Sequence, residues 1–324
     1  MARAVGLFSG GLDSILAVRL LVDQDVEILA VSFSTPFFGS ERARRAAEEL
    51  GVPFRAVDIT EEHLALVRNP KHGYGRNINP CIDCHALMLR TAGGIMEGEG
   101  YDFLFTGEVL GERPKSQNRG SLNVVAKESG FPDRVLRPLS AKLLDPTRPE
   151  REGLIDRERL LDLSGRSRTR QMALAEAYGI TEYPTPAGGC LLTDPIYSRR
   201  LRELWDHDAG AAADDVRLLA VGRHLRLAEK TKLILGRNQG ENERLSAMVR
   251  PGDTKLFVFG IPGPVGILRG PAGDELKRLA AEITARYSDA PSGEEVTVVL
   301  TTDGVDEQLA VLPADPEASS RLLI

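Results

Sequence analysis

The stretch Phe8-Ser9-Gly10-Gly11-Leu12-Asp13-Ser14 determines how the rest of the chain is read. Ahead of it, Ala4-Val5-Gly6-Leu7-Phe8 is a short apolar run of the kind that forms a buried strand. Behind it, Ile15-Leu16-Ala17-Val18-Arg19-Leu20-Leu21 is apolar at helical spacing. Two glycines and two serines therefore occupy a strand-to-helix turn. Glycine lets a backbone turn sharply and approach a ligand closely. The unpaired amides and the dipole of the helix start favour an anion there. The turn predicts a phosphate cradle built from Gly10 and Gly11, with the Ser9 and Ser14 hydroxyls as further donors. Asp13 beside a phosphate calls for a metal or a loop-orienting role. The Gly-Lys-Ser/Thr ending of a Walker loop is missing. The plain alternative is an ordinary capped turn.

A chain of 324 residues suits about two domains. Its 42% hydrophobic and 27% charged content fits a globular protein rather than a disordered or membrane one. No apolar run approaches the ~20 residues of a membrane span, so no membrane partner is expected. The first residues enter a core strand directly, so no signal peptide is expected. Three cysteines argue against a disulfide framework and for a reducing compartment, the cytoplasm. A net charge of −6 gives no global support to nucleic-acid binding, which would need local basic patches.

Downstream, strands are expected at Val26 to Ser34, Phe54 to Ile59, Tyr101 to Thr106 and Val135 to Leu139, with helices over 40–50 and 86–99. Such alternation predicts an α/β fold, a Rossmann-like parallel sheet with helices on both faces. Ligands of such sheets bind beyond the carboxyl ends of the strands. The Ser9 turn lies at one such end, and Ser32 and Phe33 at the next, where they could meet an adenine edge. For Phe33 a simple core role is the alternative. The loop Gly107 to Gln117 follows the fourth strand and faces the same crevice, with Arg113 and Lys115 available to neutralise phosphate.

Residues 69–80, rich in proline, glycine and asparagine, cannot be regular structure. Cys81-Ile82-Asp83-Cys84-His85 follows at an expected helix start, where the dipole favours thiolates. This pair could be a redox couple, half a zinc site or two ligands of an iron–sulfur cluster. The third cysteine, Cys190, lies in Pro184-Thr185-Pro186-Ala187-Gly188-Gly189-Cys190. Between Arg134 and Arg170, ten basic side chains face six acidic ones. The densest piece holds Arg166, Arg168 and Arg170, which suit phosphate-backbone contacts or a solvated helix face. A composition shift over 206–214 divides the chain into domains 1–205 and 206–324, the second a small α+β domain. Its strands are expected at Leu218–Val221, Lys232–Leu235, Thr254–Phe259, Val265–Leu268 and Val296–Leu300, and its helices over 240–249 and 271–286.

Ser-Gly-Gly-Leu-Asp-Ser resembles the loop of the PP-loop ATP pyrophosphatases, which hold ATP and release pyrophosphate on adenylating a substrate. SGGLDS, NPCIDC, TGEVLGERPKSQ, RPLSAKLL and TPAGGC occur in that order. The third resembles a loop of the 4-thiouridine synthases (ThiI), matching at Gly107, Leu110, Gly111, Ser116 and Gln117, with Glu108 in place of an aspartate. Residues 1–205 as a whole resemble the ThiI/MnmA-like tRNA thiolation enzymes. The RNA-binding extension of typical ThiI proteins has no counterpart ahead of residue 9, which leaves the manner of tRNA docking open. Gly222-Arg223-His224-Leu225-Arg226, Leu235-Gly236-Arg237-Asn238 and Glu241-Asn242 are similar to the NFACT-R domain of RNA-linked proteins.

This resemblance implies ATP-driven replacement of a uridine carbonyl oxygen by sulfur. It assigns ATP to Ser9, Gly10, Gly11, Asp13, Ser14, Ser32, Phe33, Gly107, Ser116 and Gln117. Mg²⁺ would offset the phosphate charge. The catalytic residues expected are Asp13, Cys84 and Cys190. Sulfur would travel on a persulfide of Cys84 or Cys190, or at an iron–sulfur cluster (4Fe-4S) held by Cys81, Cys84 and Cys190. The cluster is favoured, because a persulfide leaves Cys81 without a task; zinc on the three cysteines and His85 is the structural alternative. Expected partners are tRNA and a sulfur donor, sulfide or a cysteine desulfurase, with a homodimer left open. Competing readings are a PP-loop ligase or amidotransferase on a non-RNA substrate, and a non-catalytic nucleotide- or RNA-binding module.

Overall fold

The computed structural model describes residues 1–183 and 189–324, which form two compact units, Met1–Thr193 and Asp194–Ile324. The first unit runs β1 (Arg3–Leu7), α1 (Leu12–Val22), β2 (Glu27–Ser34), α2 (Glu41–Leu50), β3 (Phe54–Asp58), α3 (Thr60–Arg68), α4 (Cys81–Gly98), β4 (Phe103–Thr106), α5 (Arg119–Ser129), β5 (Val135–Leu136), α6 (Arg148–Arg151) and α7 (Thr169–Ala177). Its five strands are all parallel, in the order β3-β2-β1-β4-β5. The α/β expectation holds.

Alternation along the strands sends successive side chains to opposite faces. Ala4, Ile28, Ala30, Phe103 and Phe105 pack under α1 and α2. Val5, Leu29, Val31 and Leu104 pack under α4 and α5. The strand order reverses between β1 and β4, so the crevice at their carboxyl ends is the topological switch point. The turn after β1 and the loop after β4 meet there. A Cβ on Gly107 would stand 2.6 Å from the Ser14 amide nitrogen, so only glycine permits this approach.

Several expectations shift. Helix α4 starts at Cys81 rather than 86, which puts both cysteines of the pair in its first turn. Helix α5 went unread, because its apolar positions are diluted by Asn123, Lys127 and two serines. The fifth strand shrinks to Val135–Leu136, since Pro138 cannot extend a ladder.

The second unit runs α8 (Pro195–His207), α9 (Ala213–Leu218), β6 (Arg223–Ala228), β7 (Thr231–Leu235), α10 (Gln239–Ala247), β8 (Thr254–Val258), β9 (Gly266–Arg269), α11 (Asp274–Arg286), β10 (Val296–Thr302), β11 (Val305–Val311) and α12 (Pro316–Arg321). Its six strands are antiparallel, in the order β11-β10-β8-β9-β7-β6. Leu256, Val258, Leu268, Val298 and Leu300 meet Ala280, Ala281 and Ile283 of α11 in its core.

The division falls earlier than the linker expected at 206–214. Helix α8 belongs with the second sheet, because Glu203 pairs with Arg226 and with Lys232 Nζ at 3.0 Å. Arg200 also donates to the Leu219 carbonyl at 2.9 Å and the Gly222 carbonyl at 3.1 Å. The strand expected at Leu218–Val221 is instead a helix end and turn, and β6 starts at Arg223. Strand β11 went unread because Asp306, Glu307 and Gln308 in succession break any apolar pattern. Among the described residues no helix is long and apolar enough to cross a membrane.

Candidate nucleotide and thiol site

The Ser9–Ser14 turn has the shape that its glycines require. Gly10 sits at φ +66°, and a Cβ there would stand 2.8 Å from the Arg42 carbonyl oxygen. Gly11 caps α1 in an extended conformation. Its amide donates to Ser9 Oγ at 3.3 Å, and Ser14 Oγ donates to its carbonyl at 2.8 Å. The two serine hydroxyls lie 3.4 Å apart. Arg42 Nε donates to the Ser9 carbonyl at 3.3 Å, bracing the turn from α2. Gly10→Ala should therefore cost about 1–2 kcal/mol from its left-handed backbone alone, plus the clash with α2. Thermal unfolding against the parent checks this, and an unchanged midpoint would mean that the turn has no such constraint.

Burial raises the pKa of Asp13, an effect opposed by Arg168 and Arg113. Its Oδ1 is buried without a hydrogen-bond partner. Of the adenine-side candidates, Ser32 is buried and the Phe33 ring lies in the core beneath α4, so only the backbone of Phe33 remains for a ligand. Ser116 and Gln117 are buried too. Gln117 Oε1 accepts from the Arg113 amide at 2.9 Å and its carbonyl accepts from Gly111 at 2.7 Å, so its side chain shapes the loop.

All three thiols are free. Cys84 is buried, and burial, with Cys190 and Cys81 nearby, pushes its pKa well up. Cys190 is pushed up to about 11 by burial, with Cys81 again contributing. The three side chains therefore share one electrostatic neighbourhood, although more than a hundred residues separate Cys190 from the pair. Loops hold them there. Asn79 Nδ2 donates to Cys81 Sγ at 3.1 Å. Asn77 Nδ2 donates to the Thr193 carbonyl at 2.7 Å, and Thr193 Oγ1 donates to the Cys190 carbonyl at 2.7 Å. Asp83, inside the pair, clamps His72 at Nδ1 (2.8 Å) and at its amide (3.0 Å), which fixes the 69–80 loop. Thr185 to Gly188 of the glycine-rich motif lie outside the described residues. Among the described residues, no three His, Cys, Asp or Glu side chains are placed so as to hold a metal ion.

Two groups went unread in the sequence. His63, fully buried on α3, has Nε2 3.1 Å from Cys84 Sγ and packs against the rings of Phe37 and Phe38. Burial lowers its pKa to about 4, so the imidazole is neutral at physiological pH. The other group is centred on Glu108, which accepts from Arg137 Nε at 3.0 Å and pairs with His85 Nδ1 at 2.9 Å. Thr106 Oγ1 donates to the same carboxylate at 3.1 Å. Arg137 and His85 hold the Glu108 carboxyl down to about 2 despite its complete burial. His85 is thereby oriented by the Glu108 carboxylate, and Arg137, one of the ten basic side chains between Arg134 and Arg170, is a core residue.

The structure splits the Arg166, Arg168 and Arg170 trio. Arg166 and Arg170 are exposed, and Arg170 pairs with Asp162 at 2.6 Å. Arg168 is half-buried and turned toward Asp13.

Residues 1–142 match the family described as thiamine biosynthesis protein (ThiI). Residues 222–322 match the family described as NFACT protein RNA binding domain. The tRNA-specific 2-thiouridylase MnmA of Geotalea uraniireducens is 27% identical over 229 residues, which is 62% of this chain and 57% of that protein. The MnmA of Syntrophotalea carbinolica is 34% identical over 139 residues, 37% of each. The chain thus spans about half the length of the first of these curated relatives and about a third of the second. Among solved structures, a 4-thiouridine synthetase–RNA complex with bound ATP is 28% identical, covering 43% of this chain and 37% of that one at a TM-score of 0.35.

Proposed function

We propose, for a chain that resembles the PP-loop tRNA-thiolation enzymes in its first unit and NFACT RNA-binding domains in its second, that it replaces a uridine carbonyl oxygen of tRNA with sulfur at the expense of ATP. One observation supports the reading: the Cys190 segment lies near the Ser9–Ser14 turn. Arg42, which holds the Ser9 carbonyl, has its guanidinium 3.3 Å from where a Cβ on Gly189 would stand, next to Cys190. Arg113 acts on both the Asp13 carboxyl and the Cys190 thiol. An amide ligase would need no thiols beside its phosphates.

A nucleobase carbonyl is a poor electrophile because oxide leaves badly. In the proposed reaction the uridine oxygen attacks the α-phosphorus of ATP, the bond to the β-phosphate oxygen breaks, and pyrophosphate departs. Ser9, Gly10, Gly11 and Ser14 cradle the phosphates, and Mg²⁺ held toward Asp13 would offset their charge. A sulfur nucleophile then attacks the activated carbon and AMP leaves with the oxygen. As they stand, no three His, Cys, Asp or Glu side chains among the described residues are placed to hold a metal ion. Cys81, Cys84 and Cys190 would therefore have to draw together around an iron–sulfur cluster: three soft donors without a fourth suit a site open to sulfide. The sulfur donor in this reading is sulfide or a cysteine desulfurase, and the tRNA is gripped by the second unit.

Mass spectrometry of tRNA nucleosides from a deletion strain tests the reading. Loss of one thiolated nucleoside is expected, and an unchanged nucleoside profile would overturn it. In vitro, Asp13→Ala and Ser14→Ala should each slow ATP–pyrophosphate exchange by about tenfold or more while the fold is kept. Parental exchange rates in both variants would remove the turn from the chemistry.

A further inference from the structure

The segment that carries Arg168 is built onto the loop that follows β4. Gly165 donates to the Leu110 carbonyl at 2.8 Å, and Leu110 pairs with Ser164 as an isolated parallel bridge. Ser140, fully buried, ties both sides: its Oγ accepts from the Leu110 amide at 2.9 Å and donates to the Leu163 carbonyl at 2.7 Å. Gly111, at φ +80°, would bring a Cβ 3.4 Å from the Gly165 nitrogen, so the two backbones lie in contact. Arg168 then caps α7, which packs along α1, and buried Gln171 one turn on reaches Asp13. Of the basic stretch, Arg168 is therefore brought to the Ser9–Ser14 turn by fixed backbone contacts, while Arg166 and Arg170 stay exposed.

We propose that Arg168, joined by Arg113, is a phosphate-binding residue of the nucleotide site, reaching the terminal phosphates of ATP held at the Ser9–Ser14 turn. This rests on the nucleotide reading above and deepens it. Arg168 Nε is buried without a hydrogen-bond partner, as is Asp13 Oδ1. Among the described residues neither Arg113 nor Arg168 makes a salt bridge, although Asp13 and Glu112 lie close enough to feel both charges. Burial, and then Asp13, push the Glu112 carboxyl up, while the two arginines pull both carboxyls down. Four charged groups thus converge at the turn without neutralising one another directly. A polyphosphate supplies the acceptors that the guanidinium fork fits, and a divalent cation on the phosphates satisfies the carboxyls. RNA phosphate, the other polyanion, would have to reach a guanidinium whose Nε is buried.

Equilibrium binding of ATP, AMP and tRNA to the purified full chain, at one salt and Mg²⁺ concentration, tests this. Arg168→Ala should weaken ATP about tenfold or more, leaving AMP and tRNA affinities as in the parent. Arg168→Lys should recover part of the ATP affinity, because it keeps charge but not the fork. Thermal midpoints confirm that the variants are folded, and the lysine variant stands alone if the alanine variant unfolds. Parental ATP affinity in both variants overturns the inference, as does a loss of tRNA affinity with ATP unchanged. Failure of the parent itself to bind ATP overturns the nucleotide reading, a result distinguishable from either.

Discussion

Changing Cys81, Cys84 or Cys190 singly to alanine is expected to lower thiolated-nucleoside formation by roughly a hundredfold or more, with ATP binding intact. The three thiols share one neighbourhood, yet Cys84 is pushed up by burial, Cys190 and Cys81, and Cys190 by burial and Cys81. Without a cation Cys84 and Cys190 hold their protons, and a buried protonated thiol is a poor nucleophile. A cation bound among them removes the mutual repulsion and converts all three to thiolates. Protein purified without oxygen should be brown and bind about four irons per chain. Any one substitution should release most of that iron, because two protein ligands do not hold what three do. The readouts are iron content and visible absorbance, alongside nucleoside analysis. Colourless, zinc-loaded and fully active protein would sink the cluster and return the persulfide route.

Glu108→Ala should be the most destabilising single change in the first unit. It strands Arg137, which is 6% exposed and depends on this carboxylate, and it frees His85. Removing one partner of a buried ion pair costs about 3–5 kcal/mol. Glu108→Gln keeps the shape and some hydrogen bonding, so it should cost less. The carboxyl's folded pKa of about 2 lies below its ordinary value of 4.5. The stability it contributes is therefore fully present above about pH 4.5 and is lost as pH falls toward 2. Urea unfolding across that window should show a steeper decline in the parent than in Glu108→Gln. Equal slopes, or an alanine variant as stable as the parent, would mean that the pair contributes nothing.

Much of the fold was legible because it depends on local spacing. An apolar run, two glycines and an apolar helical face specify β1, the turn and α1 whatever lies elsewhere. Gly51 after Leu50 marks a helix end, and the structure has it at φ +68°. Where local signals were weak, the reading failed: α5 is too polar on its outer side, and β11 shows mostly exposed residues. The boundary at 193/194 was hidden because α8 looks the same whichever unit it packs on. Its allegiance lies in Glu203 and Arg200, whose partners come later in the chain.

By itself the sequence determined the parallel α/β class, the glycine-built strand-to-helix turn at Ser9–Ser14 and the residue types available around it. Those follow from the backbone preferences of glycine and from periodicity, which neighbours in the chain set. Only the tertiary structure decided that His63 meets Cys84, that Glu108 neutralises Arg137 in the core, and that half-buried Arg168 lies within electrostatic reach of Asp13. Each of these joins residues more than twenty positions apart. Burial there removes the water that would otherwise solvate the groups, so a polar side chain's role is fixed by the partner that packing supplies, and no local pattern encodes that partner.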